Sequence, residues 1–329
     1  MLLNGKSPPE IFAEFKSRYG DIYQIWVGST RYIVVNNIND IQYIFTRRHI
    51  YDHGKISMEQ FNILFPNTYA TLTGFQYKRH AVIAVPLFRR AKIINNFDLI
   101  VESSLQEDEE AEAKKSEDQK RGLSREEVLQ EILFFMVAGF ETTSTALAWF
   151  IHAMSKYPDV QRKIKEELMS IGDNQSLTLN QLDSLVYLDC VINETLRFYP
   201  VAQATCRTLT VDDRLPENNV QLYKGDTVVI PFNTLAHDPR YWSIDPERFV
   251  PERFLDEDKN HHPYVFIPFG GGHRQCIGQD LARFELKVII ARMLQQVTFG
   301  DGGPKVNSGG HVIGLTITPK NVGVTIEFP

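Results

Sequence analysis

Cysteine is scarce in this sequence, and an excess of basic residues and a long apolar run are both lacking. The three cysteines, Cys190, Cys206 and Cys276, form no CxxC pair, which argues against a disulfide framework or structural zinc and favours a reducing compartment. Lys and Arg number 35 against 41 Asp and Glu, a net charge of −6, so we expect no nucleic-acid partner. The longest apolar run, residues 132–140, is shorter than the ~20 residues that span a bilayer, and no signal-peptide core follows Met1. We therefore expect no membrane anchor in this chain.

The remaining composition is that of a globular protein, with 43% apolar and 23% charged residues. Residues 1–105 alternate helical and strand-like periods, which predicts a mixed α/β part. Residues 106–123 form a charge run without apolar periodicity, which predicts a solvated connector. Residues 124–329 open with a capping-box spacing, Ser124 to Glu127, followed by a long helical pattern. We predict a single domain that is mainly α with small β sheets.

Two hairpins are predicted from alternating apolar residues near the ends of the chain. The first turns at Gly28 and Ser29. The second is a closing hairpin between residues 315–319 and 322–328. We therefore expect helices to dominate the middle of the chain and strands to lie at both ends.

The most informative segment is the loop Phe269–Gly278, which combines glycines, a basic residue and a cysteine. Cys276 precedes a predicted helix, and the free N–H groups and dipole of a helix N-terminus favour a thiolate. The glycines at 270–272 let the backbone approach a flat or anionic partner, and Arg274 adds a fixed positive charge. Such a thiolate is a candidate nucleophile or metal ligand. The loop has neither the Walker spacing nor that of a dinucleotide-binding motif.

This loop resembles the haem-binding loop of the cytochrome P-450 superfamily, FxxGxRxCxG. The five fixed positions of that pattern are all filled, by Phe269, Gly272, Arg274, Cys276 and Gly278. The resemblance implies that the cofactor is haem b, that these loop residues bind it and that Cys276 is the axial ligand of its iron. It also implies the haem-thiolate fold of this superfamily.

Two further motifs resemble those that lock this loop beneath the haem in the superfamily. Glu194 and Arg197 match ExxR, whose spacing places both charges on one helix face. Alone, ExxR is equally typical of a solvated ion pair on an exposed helix. Arg253 lies in the sequence PERF, and the resemblance implies that it joins the ExxR pair in a buried network. The role implied for these three residues is structural.

Residues 138–143, AGFETT, resemble the oxygen-activating segment of the superfamily's long central helix. The resemblance places Ala138 and Gly139 at the haem, where Gly139 leaves room for a diatomic ligand. Glu141 and Thr142 are then the catalytic acid–alcohol pair that relays protons to bound dioxygen. The alternative is a polar patch in an amphipathic helix, whose hydroxyl groups bond back to the helix.

Other positions resemble those that contact the haem carboxylates or the substrate. Arg207 is spaced from Pro200 like the superfamily's propionate-binding arginine, and Arg274 would serve a propionate too. An ordinary surface arginine is the alternative for Arg207. The positions matching the substrate pocket are largely apolar, which favours a lipophilic substrate; they are Val201, Ala202, Gln203, Ile313 and Gly314.

The sequence departs from the superfamily pattern in two places. Where a WxxxR motif would hold a propionate, the helix after Gly74 has Tyr77 and Ala81. His80 is either a substitute cation or a plain surface histidine. The interval between this helix and Ala138 is too short for the superfamily's pair of lid helices, so we expect those helices to be missing. The amino-terminal membrane helix of microsomal relatives is also expected to be absent.

The resemblance implies a monooxygenase that inserts one atom of O2 into a lipophilic organic substrate. Electrons would come from NADPH through a separate flavoprotein reductase, because nothing in the sequence resembles a nicotinamide or flavin fold. Two alternatives stay open: a shortened, inactive haem-binding remnant or isoform, and a haem-free cysteine enzyme or scaffold. Relatives suggest the endoplasmic reticulum membrane as the location, whereas the missing anchor suggests the cytoplasm.

Overall fold

The computed structural model describes residues 6–54, 62–89, 122–172 and 177–328, which belong to two compact units. The first unit comprises residues 1–54, 140–276 and 283–329, and the second comprises residues 55–139 and 277–282. The predicted boundaries at residues 105 and 123 stay predictions. Most of the predicted connector, and most of the interval in which lid helices were expected to be missing, lie outside the described residues.

The amino-terminal part of the first unit alternates helices and strands, as predicted. Its elements are helix α1 (Pro8–Tyr19), strands β1 (Ile22–Val27) and β2 (Thr30–Val35), helix α2 (Ile38–Thr46) and strand β3 (Tyr51–His53). The predicted first hairpin is confirmed, because β1 and β2 pair antiparallel from Ile22 with Val35 to Val27 with Thr30. The side chain of Asn37 caps α2 by accepting the N–H groups of Asn39 and Asp40.

The main sheet joins this part to strands from the middle of the chain. Strands β4 (Ala204–Leu209), β5 (Asp213–Arg214), β6 (Gln221–Leu222) and β7 (Thr227–Pro231) follow the central helices. The five-stranded order is β1-β2-β7-β4-β3, with β2 and β7 parallel and β4 antiparallel to both neighbours. Buried side chains such as Ile33, Val228 and Ile230 contribute to its core. This order places His53 directly opposite Arg207.

Helices make up most of the described middle of the chain. They are α3 (Gly74–Leu87), α4 (Arg125–Lys156), α5 (Pro158–Ser170), α6 (Leu179–Ser184), α7 (Val186–Phe198) and α8 (Phe232–Ala236), and α9 (Gln279–Gln296) follows the cysteine loop. The predicted capping box begins α4: the Ser124 N–H donates to Glu127 Oε2 at 2.8 Å, and the Glu127 N–H donates to Ser124 Oγ at 3.2 Å. By length and composition alone, α4 is able to cross a membrane, a test that core helices of soluble proteins also pass. The predicted fold class, mainly α with small sheets, is confirmed.

The strands at the carboxyl end pair differently from the prediction. Strand β8 (Thr298–Asp301) pairs with β11 (Val324–Glu327), and β9 (Gly309–Ile313) pairs with β10 (Ile317–Asn321). The predicted closing hairpin is therefore wrong. Gly302 and Gly323 explain the change, since the Gly302 N–H donates to the Gly323 oxygen at 3.1 Å and a Cβ at Gly302 would lie 2.2 Å from that oxygen. This glycine contact aligns β11 with β8, and residues 314–316 become the tip of the β9–β10 hairpin.

Candidate active site

The cysteine loop is closed by its own backbone and presents Cys276 at the surface. The Cys276 N–H donates to the Phe269 oxygen at 2.9 Å, and the cysteine side chain is exposed. Gly272 has a φ of +69°, and a Cβ there would lie 2.6 Å from the Phe45 backbone oxygen. Only glycine fits this close approach without strain. The loop therefore lies tightly against α2 while its sulfur stays accessible.

The two ends of the loop are also fixed. The guanidinium carbon of Arg283 lies 5.1 Å from the centroid of the Phe269 ring, within the range of a cation–π contact. The Gly278 oxygen accepts the Ala282 N–H at 2.8 Å, which is the first turn leading into α9. Cys276 precedes the first residue of α9 by three positions in the sequence.

Buried cationic side chains lie against the same loop. Arg207 is 1% exposed and donates to the Gly271 oxygen at 2.8 Å. The Arg274 side chain is 3% exposed and donates to Asp52 Oδ1 at 3.1 Å. His53 stands opposite Arg207 in the sheet, and its Nδ1 is buried without a hydrogen-bond partner among the described residues. The alternative of an ordinary surface position for Arg207 is wrong.

Burial and neighbouring positive charges both shift the pKa values in this cluster. Burial, followed by the charges of Arg274 and Arg207, lowers the pKa of His53 to about 3. Burial also lowers the pKa of Arg207 to about 10. Burial opposes ionisation of Asp52, but His273, the His53 N–H and Arg274 outweigh it and hold the pKa of this carboxyl well below its usual range. A site with two buried arginines, one carboxylate and an orphaned histidine nitrogen suits an anionic group.

This arrangement fits the haem that the resemblance implies. Haem carries carboxylates that the buried cations would hold, and its iron would take the exposed thiolate. His53 was not among the predicted residues. No local signal marks it, because its place beside Arg207 depends on the pairing of β3 with β4, strands nearly half the chain apart.

The ExxR and PERF residues meet in a fully buried network. Glu194, Arg197 and Arg253 are each 0% exposed. Arg197 donates through Nε and Nη2 to both oxygens of Glu194 at 2.7 and 2.8 Å, and Arg253 Nε donates to Glu194 Oε1 at 3.2 Å. The arginines also donate to the backbone oxygens of Ala236, Pro246, Ile244, Asp245 and Arg248.

This network ties α7 to the loops around residues 236–258. The solvated ion pair offered as the alternative for ExxR is wrong here, because the pair is inaccessible to water. Taking one arginine away would leave a buried carboxylate short of donors, which is costly. The contacts are structural, and none of them exposes a reactive atom.

The predicted oxygen-activating residues lie within one short stretch of α4, residues 138–142. Glu141 is partly buried and Thr142 is exposed, and both belong to the first unit. Ala138 and Gly139 belong to the second, and within the described chain a Cβ added at Gly139 would meet no atom within 4 Å. The Ser144 hydroxyl bonds back to the Glu141 backbone oxygen at 3.1 Å, as the polar-patch alternative predicted for that residue.

The two segments predicted to line the substrate pocket lie side by side. The Ile317 N–H, next to the tip of the β9–β10 hairpin, donates to the Val201 oxygen at 2.8 Å. Ile313 pairs with Ile317, and Gly314 follows it, so the tip end of this hairpin meets the chain after α7. Leu315 at the tip is 50% exposed, so an apolar side chain is available there.

The structure corrects the prediction for His80. The side chain was expected at the surface or at a haem propionate, but it is 1% exposed within the second unit. Its Nδ1 lies 2.6 Å from Glu131 Oε1, and the Tyr77 hydroxyl lies 3.2 Å from that of Tyr69. Buried between α3 and α4, His80 pairs with a carboxylate, which leaves its role there structural.

Comparison with known proteins accords with the motifs. A family model for cytochrome P-450 matches residues 98–326, more than two thirds of the chain. Cytochrome P-450 3A11 of Mus musculus is 39% identical over 181 residues, which cover 54% of this chain and 35% of that protein. Cytochrome P-450 3A7 of Homo sapiens is 39% identical over 187 residues, covering 56% of this chain and 37% of that protein.

A relative from insects matches over a similar length. Probable cytochrome P-450 6a13 of Drosophila melanogaster is 36% identical over 183 residues, covering 55% of this chain and 37% of that protein. The aligned part thus spans little more than a third of each curated relative. The family model and these relatives agree with the cysteine-loop, ExxR and PERF motifs, and the chain belongs to the cytochrome P-450 family, whose cofactor is haem b.

Proposed function

We propose that this chain is a haem-thiolate monooxygenase that inserts one atom of O2 into a lipophilic organic substrate. Its electrons come from NADPH through a separate flavoprotein reductase, and its location is the endoplasmic reticulum membrane, as the resemblance implies. The observation that carries the proposal is the cysteine loop itself. It presents an exposed Cys276, and its Gly271 oxygen is bound by the buried Arg207. One loop thus supplies a ligand for iron and borders the cations that suit haem carboxylates.

Some residues of the site would bind the cofactor, and others would transfer protons. Cys276 would hold the iron, and Arg207, Arg274 and His53 would hold the carboxylates. When bound, a thiolate-ligated haem supplies the chemistry of O–O cleavage. The buried Glu194–Arg197–Arg253 network fixes α7 to the loops around residues 236–258, and the resemblance implies that this scaffold supports the cysteine loop.

Proton supply falls to the acid–alcohol pair on α4. Glu141 is a partly buried carboxyl that accepts a hydrogen bond from Thr316, and Thr142 carries an exposed hydroxyl on the next position. A carboxyl and a hydroxyl at these positions are able to hold a proton and pass it on through Oε and Oγ. The apolar hairpin tip near Val201 supports a lipophilic substrate rather than a charged one.

The decisive experiment is the spectrum of the reduced, carbon monoxide-bound protein after purification with haem supplied. We expect the red-shifted Soret band of thiolate ligation. Cys276→Ser should abolish that band, whereas Cys206→Ser, the matched control on β4, should keep it. Absence of haem uptake by the wild-type chain would contradict the site and leave the haem-free cysteine protein as the better hypothesis.

A second assay separates the enzyme from the inactive remnant. The haem-loaded chain is mixed with NADPH, a flavoprotein reductase and a panel of lipophilic probes, and the oxidised product is measured. We expect product, and we expect Thr142→Ala to lower the product formed per NADPH while the carbon monoxide spectrum is unchanged. Haem binding without oxidation of any probe favours the remnant.

A further inference from the structure

The tip of the β9–β10 hairpin is fastened to one face of α4. Thr316 is 3% exposed, and its Oγ1 lies 2.9 Å from Glu141 Oε1 and 2.9 Å from Thr145 Oγ1. The Trp149 indole N–H donates to the Ile317 oxygen at 2.7 Å. Glu141, Thr145 and Trp149 are four residues apart, so they follow one another along the same helix face. All of these residues belong to the first unit.

The chemistry of the three oxygens fixes the direction of the hydrogen bonds. A threonine hydroxyl has one hydrogen to donate and two lone pairs, and the hydrogen of Thr316 is directed at Glu141 Oε1. Thr316 therefore donates to Glu141 and must accept from Thr145. The result is a directed series, Thr145 to Thr316 to Glu141, in a buried setting where each bond restricts the rotation of the next side chain.

The hairpin tip is also held by bonds that do not involve the Thr316 side chain. Two other bonds already fasten the tip, from the Ile317 N–H to the Val201 oxygen and from Trp149 to the Ile317 oxygen. Both bonds use the backbone of Ile317 and would remain if Thr316 lost its hydroxyl. What the hydroxyl adds is a donor aimed at Glu141.

We propose that Thr316 is a positioning residue for the Glu141 carboxylate, and that Thr145 sets the direction in which the Thr316 hydroxyl donates. This inference rests on the proposed function, in which Glu141 supplies protons. Its consequence is that the hairpin carrying the predicted substrate-lining residues Ile313 and Gly314 also orients the catalytic acid. Displacement of the tip would then change proton supply as well as the shape of the pocket.

The first test compares two substitutions of Thr316 in the haem-loaded full chain. Thr316→Val keeps the shape and removes the hydroxyl, and Thr316→Ser keeps the hydroxyl. We expect the valine variant to form about tenfold less product per NADPH, the loss expected for a hydrogen bond to a charged group, and serine to restore most of it. The carbon monoxide spectrum and the substrate dissociation constant should not change. Thr318→Val is the matched control, since Thr318 is on β10 and its hydroxyl bonds to the Val312 oxygen.

The second test needs neither substrate nor reductase. Urea unfolding of Thr316→Val, Glu141→Ala and the double variant forms a double-mutant cycle, and a real bond makes the effects non-additive. Additive effects would overturn the proposal, as would an unchanged product yield in Thr316→Val. If the valine variant does not fold, Thr316→Ala and Thr145→Val take its place in both tests. A wild-type chain that binds haem yet oxidises no probe defeats the proposed function, whereas the cycle still decides whether Thr316 holds Glu141.

Discussion

His53 gives the cluster beside the cysteine loop a measurable pH dependence. Burial, and then the charges of Arg274 and Arg207, lower the pKa of this histidine from 6.5 to about 3. When the pH falls below 6.5, the pKa of this histidine in the unfolded chain, the unfolded chain binds a proton that the folded chain does not bind. Stability contributed by the neutral imidazole is complete above that value and is lost progressively as the pH falls toward about 3.

The magnitude follows from the difference between the two pKa values. When the linkage relation is integrated from about pH 7 to about pH 5, a histidine with these two pKa values lowers the free energy of unfolding by about 2 kcal/mol. That loss is a large part of the ~5–15 kcal/mol by which a typical protein is stable. Asp52 and His273, the other titratable groups facing His53, are present in both the wild type and the variant, so the difference between the two chains isolates His53.

The assay is chemical denaturation of the full chain without added haem at both pH values. His53→Gln should remove about 2 kcal/mol of the difference between the two pH values. The control His49→Gln removes an exposed histidine four residues earlier and should leave that difference as it was. With haem bound, its carboxylates would offset the two arginine charges, and the wild-type dependence should shrink. An unchanged pH dependence in His53→Gln would refute the reasoning.

Two further predictions concern the scaffold of the loop. Arg197→Met should destabilise the fold by about 3–5 kcal/mol, because Glu194 loses two buried donors. Arg162→Met, on an exposed helix face, should leave the stability nearly unchanged in the same denaturation assay. Gly28→Ala, at a left-handed position with open space, should cost about 1–2 kcal/mol. Gly272→Ala should cost more and also weaken haem retention, since its Cβ would meet a backbone oxygen at 2.6 Å; equal costs for the two glycines would contradict the close approach.

The features that could be predicted from the sequence are those that depend on residues close together in the chain. The cysteine loop, the capping box at Ser124 and the first hairpin depend on neighbours within about ten positions, where spacing alone fixes geometry. Helix α4 was predicted for the same reason, because its apolar period runs through one uninterrupted segment. Glu194 and Arg197 share a helix turn, so their pairing needed no knowledge of the fold. Their burial did need it, because it comes from loops some fifty residues away.

Long-range register decided the features that could not be predicted. The strand pattern near residue 320 is compatible with either neighbour, and the contact of Gly302 with Gly323 selects β8 as the partner of β11. His80 was expected at the surface because the sequence of α3 cannot show that Glu131, fifty-one positions later, supplies its partner. In both cases the missing information is which element packs against which.

The same distinction explains where the site gains its finer control. Motif residues such as Cys276 and Glu141 indicate which chemistry the site performs. The groups that surround and orient the site come from elsewhere in the chain. His53 reaches the cation cluster through the pairing of β3 with β4, and Thr316 reaches Glu141 from 175 positions away. A substitution that preserves every motif and shifts β3 by one residue against β4 would turn the His53 side chain to the opposite face of the sheet. Such a variant should keep the Cys276–Phe269 backbone bond that closes the cysteine loop and lose the pH dependence from His53, because that bond is local and the position of the histidine depends on strand register.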